Sequence, residues 1–178
     1  LDLDPEGSAS SWARMAKERG VDLGFEVYDP VSGSSMSELD YLVVDTPPND
    51  AKLLLTAAKH SDVIFVPLQP GQGEIDRLEP TLDVLRDHAK ELQPGVRMGI
   101  LLTMAEHDRL SAAMPGALEQ LGYPLVGIVR KSVEYRRAFG DVLRPDLRIP
   151  FEEALVHTGV LTEGVSVENA GLLAEVRA

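Results

Sequence analysis

The strongest constraint on the fold is a short apolar run, Tyr41 to Val44, that ends abruptly in polar residues and prolines. The run contains β-branched residues and is too short for a helix, so it predicts a strand buried on both faces, as in parallel sheets. Asp45, Thr46 and two prolines follow, and the prolines stop both the strand and any immediate helix. Ligands of open α/β sheets bind outside the carboxyl ends of the strands. Asp45 therefore either meets a ligand or its metal, or simply caps a turn, and the run alone leaves both open.

The rest of the chain alternates between short apolar runs and longer stretches with helical periodicity. We expect the first helix to be capped by Ser8 or Ser10 and ended by Gly20, and Pro80 to kink its helix or delay its start. This alternation predicts one α/β domain of three layers, a mostly parallel twisted sheet with helices on both faces. The predicted strands are 1–3, 25–28, 41–44, 62–67, 96–103 and 125–129, and the predicted helices are 8–19, 49–58, 74–92, 109–121, 132–139, 151–157 and 166–176.

Composition excludes several kinds of site. The 178 residues contain no cysteine, so disulfides and thiolate metal sites are impossible, and the four histidines lie too far apart to share a metal. No apolar run approaches the roughly 18 residues that a membrane span needs, and no signal peptide is present. These features predict a cytoplasmic protein that does not act at a membrane.

Charge is unevenly distributed along the chain. The formal net charge is −12, which argues against a surface coated uniformly for nucleic acid. From Arg130 to Arg148, however, six basic residues stand against three acidic ones. This window is a candidate contact for phosphate groups, or alternatively a solvated helix face with internal salt bridges to Glu134 and Asp141.

Several predicted strands end in polar or flexible segments. Because the carboxyl ends of parallel strands share one edge of a sheet, a binding site at that edge is favoured over a set of unrelated turns. The endings are Asp4-Pro5, Asp45-Thr46-Pro47-Pro48, Pro67 to Pro70, Leu101-Leu102-Thr103 and Gly127-Ile128-Val129-Arg130.

Three of these motifs, in this order, resemble the ParA/MinD family of deviant Walker ATPases. Leu1 to Ser10 resembles the family motif D-x-D-P-Q-G-S-A, Tyr41 to Pro48 resembles the Walker B strand, and Val63 to Pro70 resembles the strand after it. The resemblance extends to about residue 145. It is closest to small plasmid-type ParA partition proteins that lack an N-terminal DNA-binding domain, and it implies a P-loop NTPase-like fold of the deviant Walker type.

The resemblance also implies roles for individual residues. Asp4 would be catalytic, positioning or activating the attacking water, and Asp45 would hold the shell of a Mg²⁺ ion through a bound water. The residues implied to contact ATP are Asp45, Thr46, Pro47, Thr103 and Arg130, with the last two near adenine. Those implied to contact DNA are Arg130, Lys131, Arg136 and Arg137.

The sequence departs from the family pattern in three places. The lysine-bearing loop K-G-G-x-G-K-T, expected about two dozen residues before Leu1, is absent. We therefore expect the 178 residues to form a single ATPase-like domain that lacks its N-terminal strand, P-loop and first helix, and to be inactive alone. Glu6 stands where the family has glutamine. The loop from Gln69 to Asp76 is longer than usual, so either Glu74 or Asp76 matches the family's acidic position.

The function implied is that of a ParA-type ATPase for plasmid or chromosome partitioning, cytoplasmic and associated with the nucleoid. Such a protein forms a homodimer with ATP, binds DNA nonspecifically and releases it when a centromere-bound ParB-type partner stimulates hydrolysis. A degenerate, non-hydrolysing DNA- or protein-binding module is the alternative, and a ligase of the dethiobiotin synthetase type is a third possibility. The tail 166–178 carries two glutamates and one arginine, unlike the membrane helix of a MinD-like protein. The lack of cysteine excludes the nitrogenase iron-protein branch.

Overall fold

The computed structural model describes residues 1–30, 39–48 and 50–162. The helix predicted over 166–176 lies outside these residues. No helix within the described ranges combines the length and apolar composition required to cross a bilayer.

The centre of the fold is a parallel three-stranded sheet in the order β1-β2-β3. The strands are β1 (Val63–Leu68), β2 (Arg97–Ala105) and β3 (Leu125–Arg130), each within two residues of its predicted bounds. β1 and β2 pair continuously from Val63 opposite Arg97 to Leu68 opposite Leu102. Their carboxyl ends share one edge of the sheet, as the alternating pattern of strands and helices predicts.

The described residues contain six α-helices, of which α3, α4 and α6 contact the sheet. The helix α3 starts two residues before its predicted start and continues through Pro80, then ends at Asp87 and gives way to a short 3-10 turn. The helix α6 starts earlier than predicted because Pro145 occupies its first position, where a fixed φ suits the helix and the missing N–H costs nothing. The helices are α1 (Ser8–Glu18), α2 (Ala51–Ala58), α3 (Gln72–Asp87), α4 (Arg109–Gln120), α5 (Val133–Arg137) and α6 (Pro145–His157).

The core has two parts, one on each face of the sheet. Leu78 and Leu82 of α3 and Leu118 of α4 are buried against β2 on one face. Ala154 of α6 packs with Leu101 and Val129 on the other. A close approach of α6 requires Gly127, because a Cβ there would lie 2.9 Å from the carbonyl oxygen of Pro150. The three-layer α/β architecture predicted from the sequence is therefore confirmed.

The apolar segment 41–44 differs from its prediction as a strand buried on both faces. It forms no regular strand, and the side chain of Val43 is 81 % exposed. Its one paired edge runs beside Leu1–Leu3, with the single parallel bridge between Asp2 and Asp45. The prediction is wrong here because burial of such a strand depends on a neighbour on each side, and the described residues supply a neighbour on one side alone.

Two other predicted details also change at the start of the chain. Residues 25–28 form no strand, although Tyr28 accepts a backbone hydrogen bond from Asp2 at 2.8 Å. The residue before α1 is Gly7, with φ of 64° in the left-handed region, so neither Ser8 nor Ser10 caps this helix. In α2, by contrast, Asp50 caps the helix, since its carboxylate accepts a hydrogen bond from the backbone N–H of Leu53 at 2.9 Å.

Candidate functional site

Asp2 and Asp45 lie side by side on neighbouring extended segments. The backbone N–H of Leu3 donates to the carbonyl of Asp45, and that of Asp45 donates to the carbonyl of Leu1, both at 2.9 Å. The pairing is parallel, so the segments after Asp2 and Asp45 leave in the same direction. Asp4 and Thr46 therefore follow at the same end of this pair, as predicted for carboxyl ends of parallel strands.

Asp2 organises the loop that follows it. Its side chain is only 3 % exposed. One carboxylate oxygen accepts hydrogen bonds from the backbone N–H and the hydroxyl of Ser10, at 2.8 and 2.6 Å, and the other accepts from the N–H of Asp4 at 3.2 Å. The Ser10 hydroxyl, followed by these N–H groups, lowers the pKa of Asp2 despite its burial. Sequence reasoning missed this role, although the alternation Asp2-Leu3-Asp4 was a signal for it.

Asp4 occupies the turn between this extended segment and α1. It is half-buried, and its carboxylate accepts a hydrogen bond from the N–H of Glu6 at 2.9 Å. Its carbonyl accepts from the N–H of Gly7, also at 2.9 Å. Glu6 itself is exposed, so the residue that replaces the family's glutamine is in contact with solvent.

Asp45 has the opposite electrostatic environment to Asp2. Desolvation raises its pKa, and the negative charges of Asp2 and Asp4 raise it further. The positive charge of the Leu1 amino group and a hydrogen bond from the backbone of Thr46 lower the pKa only in part. A carboxylate destabilised in its charged form by two neighbouring carboxylates gains from a nearby cation.

The described residues contain no group of three acidic or histidine side chains arranged around a common metal position. Mg²⁺ keeps several of its waters and commonly uses one or two carboxylates, so Asp45 alone fits a water-mediated contact. Thr46 and Pro47 are half-buried and continue the segment directly beyond it.

A second group of predicted site residues lies at the carboxyl edge of the three-stranded sheet. The hydroxyl of Thr103 donates to the carbonyl of Leu68 at 3.4 Å, which ties the ends of β2 and β1 together. Arg130 is exposed and lies in register with Ala105 of β2. Thr103 and Arg130 therefore both lie at the carboxyl edge of the sheet.

The four predicted DNA contacts differ in their ionic partners. Lys131 pairs with Glu106, and Arg137 of α5 pairs with Glu134 at 2.6 Å. Arg130 and Arg136 are exposed and form no ion pair with the described residues. Of the internal salt bridges that the alternative interpretation predicts, the one to Glu134 is present, whereas Asp141 forms no ion pair with the described residues, so only part of the basic stretch is neutralised.

Helix α1 links the Asp4 turn to the region after α5. Its amino end is held by the bonds from Ser10 to Asp2. Further along, the indole N–H of Trp12 donates to the carbonyl of Asp141 at 3.1 Å, and Arg19 donates to the carbonyl of Phe139 at 2.9 Å. The helix therefore contacts both the acidic loop and the connection that follows the basic helix.

The fold of this chain is similar to that of a protein whose structure has been solved. The chain is similar to apo McdA from Cyanthece, with a TM-score of 0.59 at 20 % sequence identity over 67 % of the chain. The fold is ParA-like. The chain spans 53 % of the length of the McdA chain. No family model matches the sequence, and no curated protein sequence matches it either. The evidence for a ParA-like fold is therefore structural similarity and not sequence similarity.

Proposed function

We propose that the intact protein is a ParA-type ATPase that uses ATP and Mg²⁺. The observation that carries the proposal is the parallel pairing of Asp2 with Asp45 in a ParA-like fold, which puts the turns of Asp4 and Asp45 side by side. Phosphoryl transfer to water requires a positioned water and charge stabilisation around the phosphates. The carboxylate of Asp4 suits the positioning of the water, and the carboxylate of Asp45 suits a metal ion that stabilises the phosphate charge.

In this proposal the two carboxylates have separate tasks. Asp45, whose charge is destabilised by its neighbours, accepts a hydrogen bond from a water of the Mg²⁺ shell. Asp4 holds and orients the attacking water, and Asp2 fixes the turn that carries Asp4. Thr46 and Pro47, which directly follow Asp45, also contact the nucleotide in this proposal. Mg²⁺, when bound, supplies the positive charge that the phosphate oxygens need.

The phosphates themselves need donors that this acidic loop lacks. In the same proposal, a glycine-rich, lysine-bearing loop from a segment outside the 178 residues provides these donors. Its strand has a place to pair, because Val43 is exposed and the outer edge of β1 pairs with no strand in the described ranges. Open edges flanked by apolar side chains favour the addition of a strand.

The proposal extends, by analogy with ParA proteins, to dimerisation, DNA binding and a partner protein. ATP binding would drive homodimer formation, and the dimer would bind DNA nonspecifically through Arg130 and Arg136, with Lys131 and Arg137 assisting. A ParB-type partner would stimulate hydrolysis and release the DNA. The protein would act in the cytoplasm on the nucleoid, in plasmid or chromosome partitioning.

The test is Asp4→Ala in the intact protein, assayed for ATP turnover and for ATP-dependent dimerisation. Loss of a positioning or general-base group typically lowers turnover by about 10²- to 10⁴-fold. We expect turnover to fall by that amount while dimerisation, followed by light scattering, persists. Asp83→Ala, on the exposed face of α3, is the matched control and should leave both unchanged. Unaltered turnover in Asp4→Ala would refute the role of Asp4.

A non-hydrolysing binding module is the second candidate. The backbone N–H of Glu6 donates a hydrogen bond to the Asp4 carboxylate, and aspartates commonly make this bond in turns that have only a structural role. This observation favours the second candidate. A protein of this kind would bind DNA without turning over ATP at all. The coding sequence upstream of Leu1 separates the two candidates, because a lysine-bearing loop belongs only to the ATPase.

A further inference from the structure

Glu134 lies within the basic segment that follows β3, and its carboxylate contacts two arginines. One oxygen, Oε1, lies 2.6 Å from Nη1 of Arg137, and the other, Oε2, lies 3.6 Å from Nη1 of Arg144. Arg137 is the last residue of α5, whereas Arg144 directly precedes α6. A single acid therefore joins two basic side chains that belong to different parts of the segment.

The local structure fixes Glu134 in this position. Its backbone N–H donates to the hydroxyl of Ser132 at 3.1 Å, and its carbonyl accepts from the N–H of Ala138 at 2.9 Å. Its side chain is only 30 % exposed, whereas Arg137 and Arg144 are both exposed. Because salt screens a partly buried charge less than an exposed one, this carboxylate holds its cations better than a fully solvated acid would.

Two other acids also contact basic side chains of this surface. Lys131 pairs with Glu106, which directly follows β2. Arg144 pairs with Asp146 as well, through hydrogen bonds of 3.1 and 2.9 Å. Glu134 differs from these acids because it engages two arginines at once. It is therefore the acid whose removal would change the environment of the most positive charge.

An arginine that is held by an internal carboxylate adds little to DNA affinity. Nonspecific affinity comes from the counterions that DNA releases when cationic side chains neutralise its phosphates, and each such contact steepens the dependence of log affinity on log salt by about 0.9. A carboxylate beside the arginine offsets its charge and repels the phosphate. The fold gains little in return, because ion pairs at the surface contribute little to stability.

We propose that Glu134 is an internal competitor for the phosphate groups of DNA, and that it restrains the affinity of the basic surface. The inference rests on the DNA binding in the proposed function and adds its regulation. Glu134 keeps Arg137 and Arg144 from the phosphates, so that Arg130 and Arg136 provide most of the contact. The surface then binds DNA more weakly than its positive charges allow, which favours release of the DNA.

The experiment compares Glu134→Gln with wild type in the intact protein with Mg²⁺-ATP, by fluorescence anisotropy of a labelled DNA duplex at several salt concentrations. The slope of log affinity against log salt should steepen by about 0.9 for each arginine released. Over one decade of salt this slope corresponds to an affinity gain of about 8-fold per arginine at 0.1 M salt. Glu134→Ala, which also removes the carboxylate, should show the same gain. Glu119→Gln, an exposed acid at the end of α4, changes the net charge equally and should leave the slope unchanged.

A second background separates competition from simple repulsion of DNA by Glu134. When Arg137→Ala and Arg144→Ala are both present, adding Glu134→Gln should give no gain, because no arginine remains to be released. A gain that persists there would overturn the inference, and so would wild-type affinity and slope in both Glu134→Gln and Glu134→Ala. Either result would leave the proposed DNA binding intact. If wild type and both variants bind no DNA, the DNA binding of the proposed function falls, and this inference with it.

Discussion

At the scale of single residues, the acidic site is defined by two aspartates in contrasting environments. Asp2 is buried but stabilised by three donors, and its pKa is lowered. Asp45 has the more negative surroundings and few donors, and its pKa is raised. The folded protein therefore contains, at Asp45, a carboxylate whose charged form is unfavourable until a cation binds beside it.

The pH dependence of stability follows from the raised pKa of Asp45. Folding disfavours the charged form, so the free energy of unfolding falls as pH rises from the ordinary value of 3.8 through the raised one. Above that window the penalty is fully present. Asp45→Asn removes it and should stabilise the metal-free protein at pH 7, by less than about 1 kcal/mol because Asp45 is exposed to solvent screening.

Urea unfolding of Asp45→Asn and wild type at pH 3 and pH 7 measures this effect. The difference between the two proteins should be present at pH 7 and vanish at pH 3, where Asp45 is protonated in both states. Asp83→Asn, an exposed residue paired with Arg86, should not show this gain at pH 7. A destabilised Asp45→Asn at pH 7 would contradict the electrostatic account.

At the scale of elements, the sequence predicts what local forces determine. The helix α4 and the strands β1, β2 and β3 lie close to their predicted bounds, because their apolar periodicity and turn residues are local signals, whereas α3 ends five residues earlier than predicted. The segment 41–44 was mispredicted because its burial depends on neighbours elsewhere in the chain. The left-handed backbone of Met104, with φ of 56°, was also missed, since no local residue pattern marks a methionine in this conformation.

The helix α5 shows how an element can carry charges of unequal availability. Arg136 has no ion pair among the described residues, whereas Arg137 is held by Glu134 at 2.6 Å. If the helix contacts DNA phosphates, Arg136→Ala should reduce the slope of log affinity against log salt concentration by about 1. Arg137→Ala should reduce it by less, because Glu134 already offsets that charge.

Fluorescence anisotropy with two unrelated DNA sequences, at several salt concentrations, measures these slopes. Arg77→Ala, an exposed ion-paired arginine on α3, changes the net charge equally and serves as the control. Arg136→Ala should weaken both DNA sequences alike, because phosphate contacts carry no sequence information. Equal slopes for all three variants would contradict DNA contact by α5 and support its interpretation as a solvated helix face.

At the scale of the whole molecule, the sequence predicted the fold class, but not the contacts that join distant parts of the chain. The adjacency of Asp4 and Asp45 follows from parallel pairing, which the alternating pattern predicts. The link from α1 to the connection after α5 depends on Trp12 and Arg19, whose partners lie about 120 to 130 residues away. Contacts of that sequence separation have no local signature.

Within the described residues, two extended backbone edges are open and flanked by apolar side chains. One is the segment with Val43, and the other is the outer edge of β1 with the exposed Phe65. Such edges template pairing with another chain. We therefore expect the 178-residue chain to self-associate with rising concentration, and Val43→Lys to suppress this, because a lysine on an edge opposes pairing.

Sedimentation velocity over a range of concentrations checks this expectation, with Leu121→Lys as the control at an exposed apolar position that directly follows α4 and lies on no strand edge. Val43 is 81 % exposed, so its replacement should change the free energy of unfolding by no more than about 0.5 kcal/mol. Suppression by Val43→Lys alone would assign association to the open edge. Equal suppression by both lysines would assign it to exposed apolar surface in general, and the edges would then have no special part in it.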